Sequence, residues 1–324
     1  MKAVVFGGTG FIGSHAAEQL VRAGHEVTAV VRPTSKTAFL EFLKIPILHA
    51  DFSDADQIAR LIQGHELVYN CTANVKFHLS MEEHQEVEVR LARRLVEAAA
   101  RAGAKRFIQL SGIKVYGCDL PATPVDEAHP CRPEFPFEKV SLEREQVVQE
   151  VSARAGLDYA ILRPSGTIGN RDTSFFSFLY KAHRGGGFPM IGNGAAGLSL
   201  VDTRDVGRAM VWLGESRDSS GEVYLLRAFE TSWMGLKEAI DRVRGVTAKV
   251  RRLPPGLAMG LARFLEWVTP YGGNPWLTRL AVRSMTANAL FDDTKIRRAG
   301  FATVHNSLDE TLSNAIADIE GRKS

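Results

Sequence analysis

Residues 2–15 read KAVVFGGTGFIGSH, four apolar residues running directly into a loop with glycines at 7, 8, 10 and 13. The apolar run predicts a short buried strand, the glycines a tight turn, and the residues after them a helix start. In that pattern Gly7 lets the chain leave the strand, Gly10 lets backbone N–H groups approach a pyrophosphate, and Gly13 lets the new helix pack against its strand. The anion then rests on the helix N-terminus, beside Phe11 and Ile12. The plain alternative is a glycine-rich strand, turn and helix with no ligand. Against it stands the context, with a strand before the loop and a helix after it, as dinucleotide binding requires.

The next elements extend the same alternation. Phe11 to Ala23 predicts a helix ending at Gly24, and Glu26 to Val31 a second parallel strand. An NAD site usually carries an acidic side chain near the end of that strand, where it accepts hydrogen bonds from the ribose 2′-hydroxyl. Here the positions are Arg32, Pro33, Thr34, Ser35 and Lys36. The Arg32 fork, with Ser35 and Lys36 as further donors, suits a 2′-phosphate, so the spacing favours NADP over NAD. An arginine capping the strand edge in solvent is the alternative.

Pro46 to Ala50 predicts the third strand, followed by Asp51 and Phe52 on the cofactor side, with Ser53 and Asp56 as a capping pair for a helix over 54–62. Asp51 is placed to reach an adenine amino group or to serve as an ordinary loop carboxylate. Leu67 to Cys71 is a fourth strand, and the small residues Thr72, Ala73 and Asn74 follow at its ligand-binding end. Glu82 to Ala102 predicts a long helix with Glu86/Arg90 and Glu97/Arg101 pairs. Strands at 105–110, 158–162 and 222–226, a helix over about 135–155 and an insertion beginning with a helix at 173–183 complete the sheet region. From about Phe229 helices replace strands.

The whole is an α/β chain with a doubly wound, mostly parallel seven-stranded sheet. Residues 1–165 with about 200–226 are expected to form the dinucleotide-binding domain, and 166–199 with 227–324 a smaller, mainly helical substrate lobe. The 324 residues carry 40 basic and 37 acidic side chains, a formal charge of +3, with no run of like charge that would track a nucleic acid. Three cysteines without ligand spacing argue against a disulfide framework or a metal site and fit a reducing cytoplasm. The apolar stretch 253–268 is interrupted by Arg263 and Glu266 and too short to span a bilayer. It predicts a buried or lid helix and no firm membrane anchor; Leu257, Leu261, Phe264, Leu265 and Trp267 would line an apolar pocket or form a lid core.

Together GGTGFIGSH at 7–15, DFSD at 51–54, SGIKVYG at 111–117, LRPSGTIGN at 162–170, LVDTRDV at 200–206 and FDDTK at 291–295 resemble an extended short-chain dehydrogenase/reductase. That group includes nucleotide-sugar epimerases and dehydratases, with dihydroflavonol-reductase-like and 3β-hydroxysteroid-dehydrogenase-like relatives. The resemblance implies a small-molecule substrate such as a nucleotide sugar, and a homodimer through the 82–102 and 135–155 helices. It also implies a Tyr-x-x-x-Lys pair on one helix face and a Ser or Thr at the end of the fifth strand, with the lysine lowering the phenol pKa.

This chain departs from the pattern. None of its six tyrosines has a lysine four residues later. Matching Lys139 and Glu143 to the family helix puts Phe135 at the tyrosine position and leaves Lys139 to bind the nicotinamide ribose, or to stand exposed and paired with Glu143. Counting back from Val115 lands on Gly112, with Ser111 one residue early. Lys114, Tyr116, His78, His129 and Tyr180 are the other conceivable proton donors. Arg163 matches the family's strand-end arginine, for an ion pair or a ligand contact. The readings left open are an enzyme with reduced or altered activity, a cofactor-binding regulator, and a reductase of hydrophobic carbonyl compounds.

Overall fold

The computed structural model describes residues 1–74, 76–173 and 175–322. Its strands are β1 (Lys2–Phe6), β2 (Glu26–Val31), β3 (Ile47–His49), β4 (Leu67–Asn70), β5 (Arg106–Leu110), β6 (Asp158–Pro164), β7 (Gly166–Ile168), β8 (Gly187–Ile191), β9 (Gly197–Asp202), β10 (Glu222–Leu226), β11 (Phe229–Ser232) and β12 (Lys249–Leu253). Seven of them form one sheet in the order β10-β6-β5-β4-β1-β2-β3. Every pairing in that sheet is parallel.

The reason the first strand is apolar throughout is visible in its neighbours. Ala3 and Val5 pack with Ala16, Ala17 and Leu20 on one face, while Val4 and Phe6 pack with Leu95, Val96 and Val148 on the other. A strand covered on both faces has no solvent side on which to place polar residues.

Helices α1 (Phe11–Arg22), α2 (Ala38–Phe42), α3 (Ala55–Ile62), α4 (Met81–His84), α5 (Leu91–Arg101) and α6 (Pro136–Ala155) follow successive strands. The predicted 82–102 helix is not continuous. Between α4 and α5 the chain makes a π-helical turn over Gln85–Arg90, which resets the phase of the residues after it. The cap of α3 is Asp54, whose carboxylate accepts from the N–H of Asp56 and Gln57, and not the Ser53/Asp56 pair. Glu86 pairs with Arg90 as expected, but Arg101 reaches Asp56 and Glu97 turns to Arg93 and Arg154.

The remaining helices are α7 (Phe175–Arg184), α8 (Thr203–Glu215), α9 (Trp233–Arg244), α10 (Pro255–Val268), α11 (Arg279–Thr286), α12 (Thr294–Arg298) and α13 (Leu308–Gly321). The expected start of α7 at 173 abuts residue 174, outside the described residues. After residue 166 the chain also builds a three-stranded sheet, β11-β9-β7, and a two-stranded one, β12-β8. Strands β11 and β12 correct the expectation of helices alone after 229. Both are short, and β12 is mostly exposed, so neither shows the alternation that marks a half-buried strand.

Candidate cofactor and active site

The glycine loop closes as its spacing requires. Gly7 has φ +79°, which favours glycine, and the Gly10 N–H donates to its carbonyl at 3.0 Å. A Cβ on Gly13 would lie 2.2 Å from the Gly7 carbonyl oxygen, and one on Gly7 2.6 Å from the Cys71 carbonyl group. Strand β1, strand β4 and helix α1 therefore meet backbone to backbone. Helix α1 begins at Gly10 with no side-chain cap and no acidic residue in its first turn. The N–H groups around Phe11 and Ile12 are left as donors for an anion, which is the fit a pyrophosphate needs.

Around this cradle the other cofactor candidates fall at the C-terminal ends of β2, β3 and β4. Arg32 and Lys36 are exposed, and the Ser35 N–H donates to the Arg32 carbonyl at 3.0 Å, turning the segment back on itself. Phe52 packs edge-on against Phe6, with centroids 5.9 Å apart. The Asp51 carboxylate accepts from the Ser53 N–H, which holds it below the usual carboxylate range. Thr72 donates from both N–H and hydroxyl to Asn70, whose amide donates to Gln109 at 2.8 Å in the buried sheet. Ala73 is exposed, and the Asn74 N–H donates to Glu88 at 2.6 Å.

Helix α6 is the one on which the resemblance would place a catalytic pair, and its burial pattern shows which of its faces meets the sheet. Phe135 is the extended residue before α6, and its N–H and that of Glu134 donate to Glu138. Lys139 is exposed, in line with exposed Gln146, Glu150 and Ala153. The buried face carries Glu138, Ser141, Glu145, Val148 and Ser152. Glu145, not Glu143, receives the strand-end Arg163: Nη2 donates at 2.6 Å and Nε at 3.0 Å. Counting back from Glu145 by four and eight gives Ser141 and Phe137.

By helical phase half-buried Phe137 and buried Ser141 share the face of Glu145, whereas Lys139 lies on the exposed face. Pro136-Phe137 opens the helix, and Glu143 accepts from Gln85. Ser111 donates to Glu145, while Gly112 occupies the next position with no side chain.

The other proton-donor candidates are mostly engaged. Tyr116 is buried and accepts from Arg163 Nη1 at 2.7 Å, and burial raises its pKa. His78 Nε2 lies 2.8 Å from the Thr269 carbonyl, and Tyr180 donates to Glu320. His129 stands 6.3 Å from the Tyr116 ring. Lys114 is half-buried at the end of β5, where its Nζ donates to Ser284 of α11 at 2.6 Å. Surface concavities bounded by His25, Lys44 and Pro46, and by Asp126 and Lys295, lie away from these strand ends.

Residues 3–226 match the model of the NAD dependent epimerase/dehydratase family. The chain belongs to that family. A putative dihydroflavonol 4-reductase from Synechocystis is 26% identical over 96% of this chain and 92% of that protein. A Stigmatella aurantiaca 4-hydroxy-2-methyl-3-oxo-4-farnesyl-3,4-dihydroquinoline-1-oxide ketoreductase is 26% identical over 95% of each. UDP-glucose 4-epimerase from Thermotoga maritima superposes over 100% of both chains with TM-score 0.81 at 21% identity, a likeness of fold.

Within this family member, spacing alone did not disclose a second buried ion pair. Glu88, on the π-helical turn, and Arg144, on α6, are both buried and bonded to each other, and Arg144 also donates to the Thr72 carbonyl at 3.3 Å. The pair sits directly behind Thr72 and Asn74. Its only trace in the sequence is a glutamate inside an otherwise apolar stripe.

On α1 the buried His15 ring faces the Asn170 carbonyl at 2.9 Å, and Arg171 reaches Ser14 and Glu18 of the same helix. Burial, aided by the Arg171 charge, lowers the His15 pKa to about 4. The unfolded chain therefore binds a proton near pH 6.5 that the folded one refuses, and stability falls as pH drops from about 6.5 to about 4. The full shift is worth about 3 kcal/mol. Denaturant titrations of His15→Gln are expected to lose that part of the acid dependence; an unchanged profile would rule it out.

Proposed function

We propose that this family member binds NADP(H) in preference to NAD(H) and performs reduced or altered redox chemistry on an apolar carbonyl compound. The uncapped glycine cradle, with Arg32 at the end of β2, carries the reading. When bound, the nicotinamide supplies or accepts a hydride. Gly10, Phe11 and Ile12 hold the pyrophosphate, Arg32, Ser35 and Lys36 the 2′-phosphate, and Thr72 to Asn74 back the middle of the cofactor. Relatives named for farnesylated or steroid compounds, matched over more than nine-tenths of this chain, support an apolar substrate over a nucleotide sugar.

With Phe137 and Ser141 on the inward face, the proton that must reach the carbonyl oxygen comes from Lys114 or from water. The same two residues favour a second reading, a cofactor-dependent regulator without turnover. Single-turnover oxidation of NADPH by apolar ketones separates them. Gly112→Ser/Phe137→Tyr/Ser141→Lys is expected to raise that rate by roughly 10²–10⁴. A Cβ on Gly112 meets only the Pro164 carbonyl oxygen, at 3.9 Å, so the serine is tolerated.

Arg32→Ala is expected to weaken NADPH binding by about 1.5–3 kcal/mol and leave NADH nearly unchanged, as read by calorimetry. Equal or tighter binding of NADH to the wild-type protein would overturn the cofactor assignment.

A further inference from the structure

Helix α10 inverts the usual distribution of side chains. It buries the small residues Ala258 and Ala262 and turns Leu257, Phe264, Trp267 and Val268 outward, with Leu257 66% and Trp267 82% exposed. Leu257, Phe264 and Val268 share one face by helical phase, and exposed Tyr271 and Trp276 follow in the chain. Of the five residues expected to line a pocket or form a lid core, Leu261 and Leu265 pack against Ala258, Ala262 and Leu277, whereas Leu257, Phe264 and Trp267 are exposed.

Charge accompanies the apolar row. Lys249, Arg251 and Arg252 on the strand leading into α10, and Arg263 one turn before Trp267, have no carboxylate partner among the described residues. The one acid on the helix, Glu266, is held by Arg279 at 2.5 Å. Three uncompensated cations on the strand that runs into α10 and one on the helix, together with its exposed Phe and Trp, supply the chemistry of a bilayer headgroup region.

We propose that α10 and the segment after it dock on an anionic lipid surface. At roughly 21 Å the helix lies on such a surface and does not cross it, and no described helix is long and apolar enough to span. A second copy is the poorer occupant, because a two-fold contact through this face would bring eight unpaired cations together.

The surface adjoins the cleft. Past α10, the Gly272 N–H donates to the His78 carbonyl at 2.9 Å, while Ser284 of α11 accepts from Lys114. Docking therefore brings the segments that follow β4 and β5, around His78 and Lys114, toward the lipid, where an apolar substrate is concentrated. That consequence rests on the proposed substrate class; the lipid contact does not.

Flotation with phosphatidylcholine vesicles, with and without phosphatidylglycerol, tests the proposal at low and high salt. The full chain is expected to float with the anionic vesicles at low salt and to be released by salt. Arg251→Gln/Arg252→Gln is expected to lower that partition roughly twentyfold. Phe264→Glu/Trp267→Glu is expected to lower it at least tenfold, and both variants should keep wild-type NADPH affinity by calorimetry. Loss of cofactor affinity in the wild type would count against the proposed function alone. Wild-type protein staying soluble with anionic vesicles overturns docking, as does an oligomer that Phe264→Glu/Trp267→Glu converts to monomer without any lipid bound.

Discussion

Gly13→Ala is expected to abolish dinucleotide binding at millimolar cofactor and to destabilise the fold by about 3 kcal/mol or more. The added carbon would sit 2.2 Å from the Gly7 carbonyl oxygen and 3.0 Å from the Cys71 Cβ. Both obstacles belong to the frame of the sheet, so relief requires α1 to move away from β1 and β4. That movement displaces the N–H groups of Phe11 and Ile12, the donors a pyrophosphate needs. Calorimetry with NADPH and a urea titration report the two effects separately. Gly24→Ala is the control, because a Cβ there meets nothing within 4 Å although φ is +80°. It should cost stability without touching affinity, and wild-type affinity in Gly13→Ala would show that the anion sits elsewhere.

The contrast between these glycines explains which parts of the molecule the sequence discloses. A backbone crossing admits one residue type, so Gly7 and Gly13 mark their own positions, and seven apolar runs mark a sheet buried on both faces. Helix phase is different. Residues 135 and 139 and residues 137 and 141 have the same spacing, and only the packed helix shows that Ser141 is buried with Glu145 while Lys139 is exposed. Glu145 is the partner of Arg163, which comes from another element, and the pairing is known only once β6 and α6 are packed. The same holds for α10, whose apolar residues predict burial by composition while their exposure depends on what the rest of the chain leaves uncovered. The π-helical turn is also silent in propensity, yet it places Glu88 opposite Arg144.

That pairing leads to the second large effect. Arg144→Met is expected to destabilise the protein by about 3–5 kcal/mol, since it leaves the buried Glu88 carboxylate with no compensating charge. Glu88 would retain the Asn74 N–H, which is too little for a charge removed from water. Methionine fills much of the space of the arginine stem, so the loss reads the charge and not a cavity. Glu88→Gln/Arg144→Met removes both charges and should recover most of the stability, the interaction energy being the difference between the double variant and the sum of the singles. Cofactor affinity should fall further in Arg144→Met than in the double variant, because the stranded carboxylate pulls on Asn74 and, through it, on Thr72 and Ala73 at the strand end. A urea titration showing less than about 1 kcal/mol lost in Arg144→Met would mean that water reaches Glu88 and that the pair does not brace the cofactor loop.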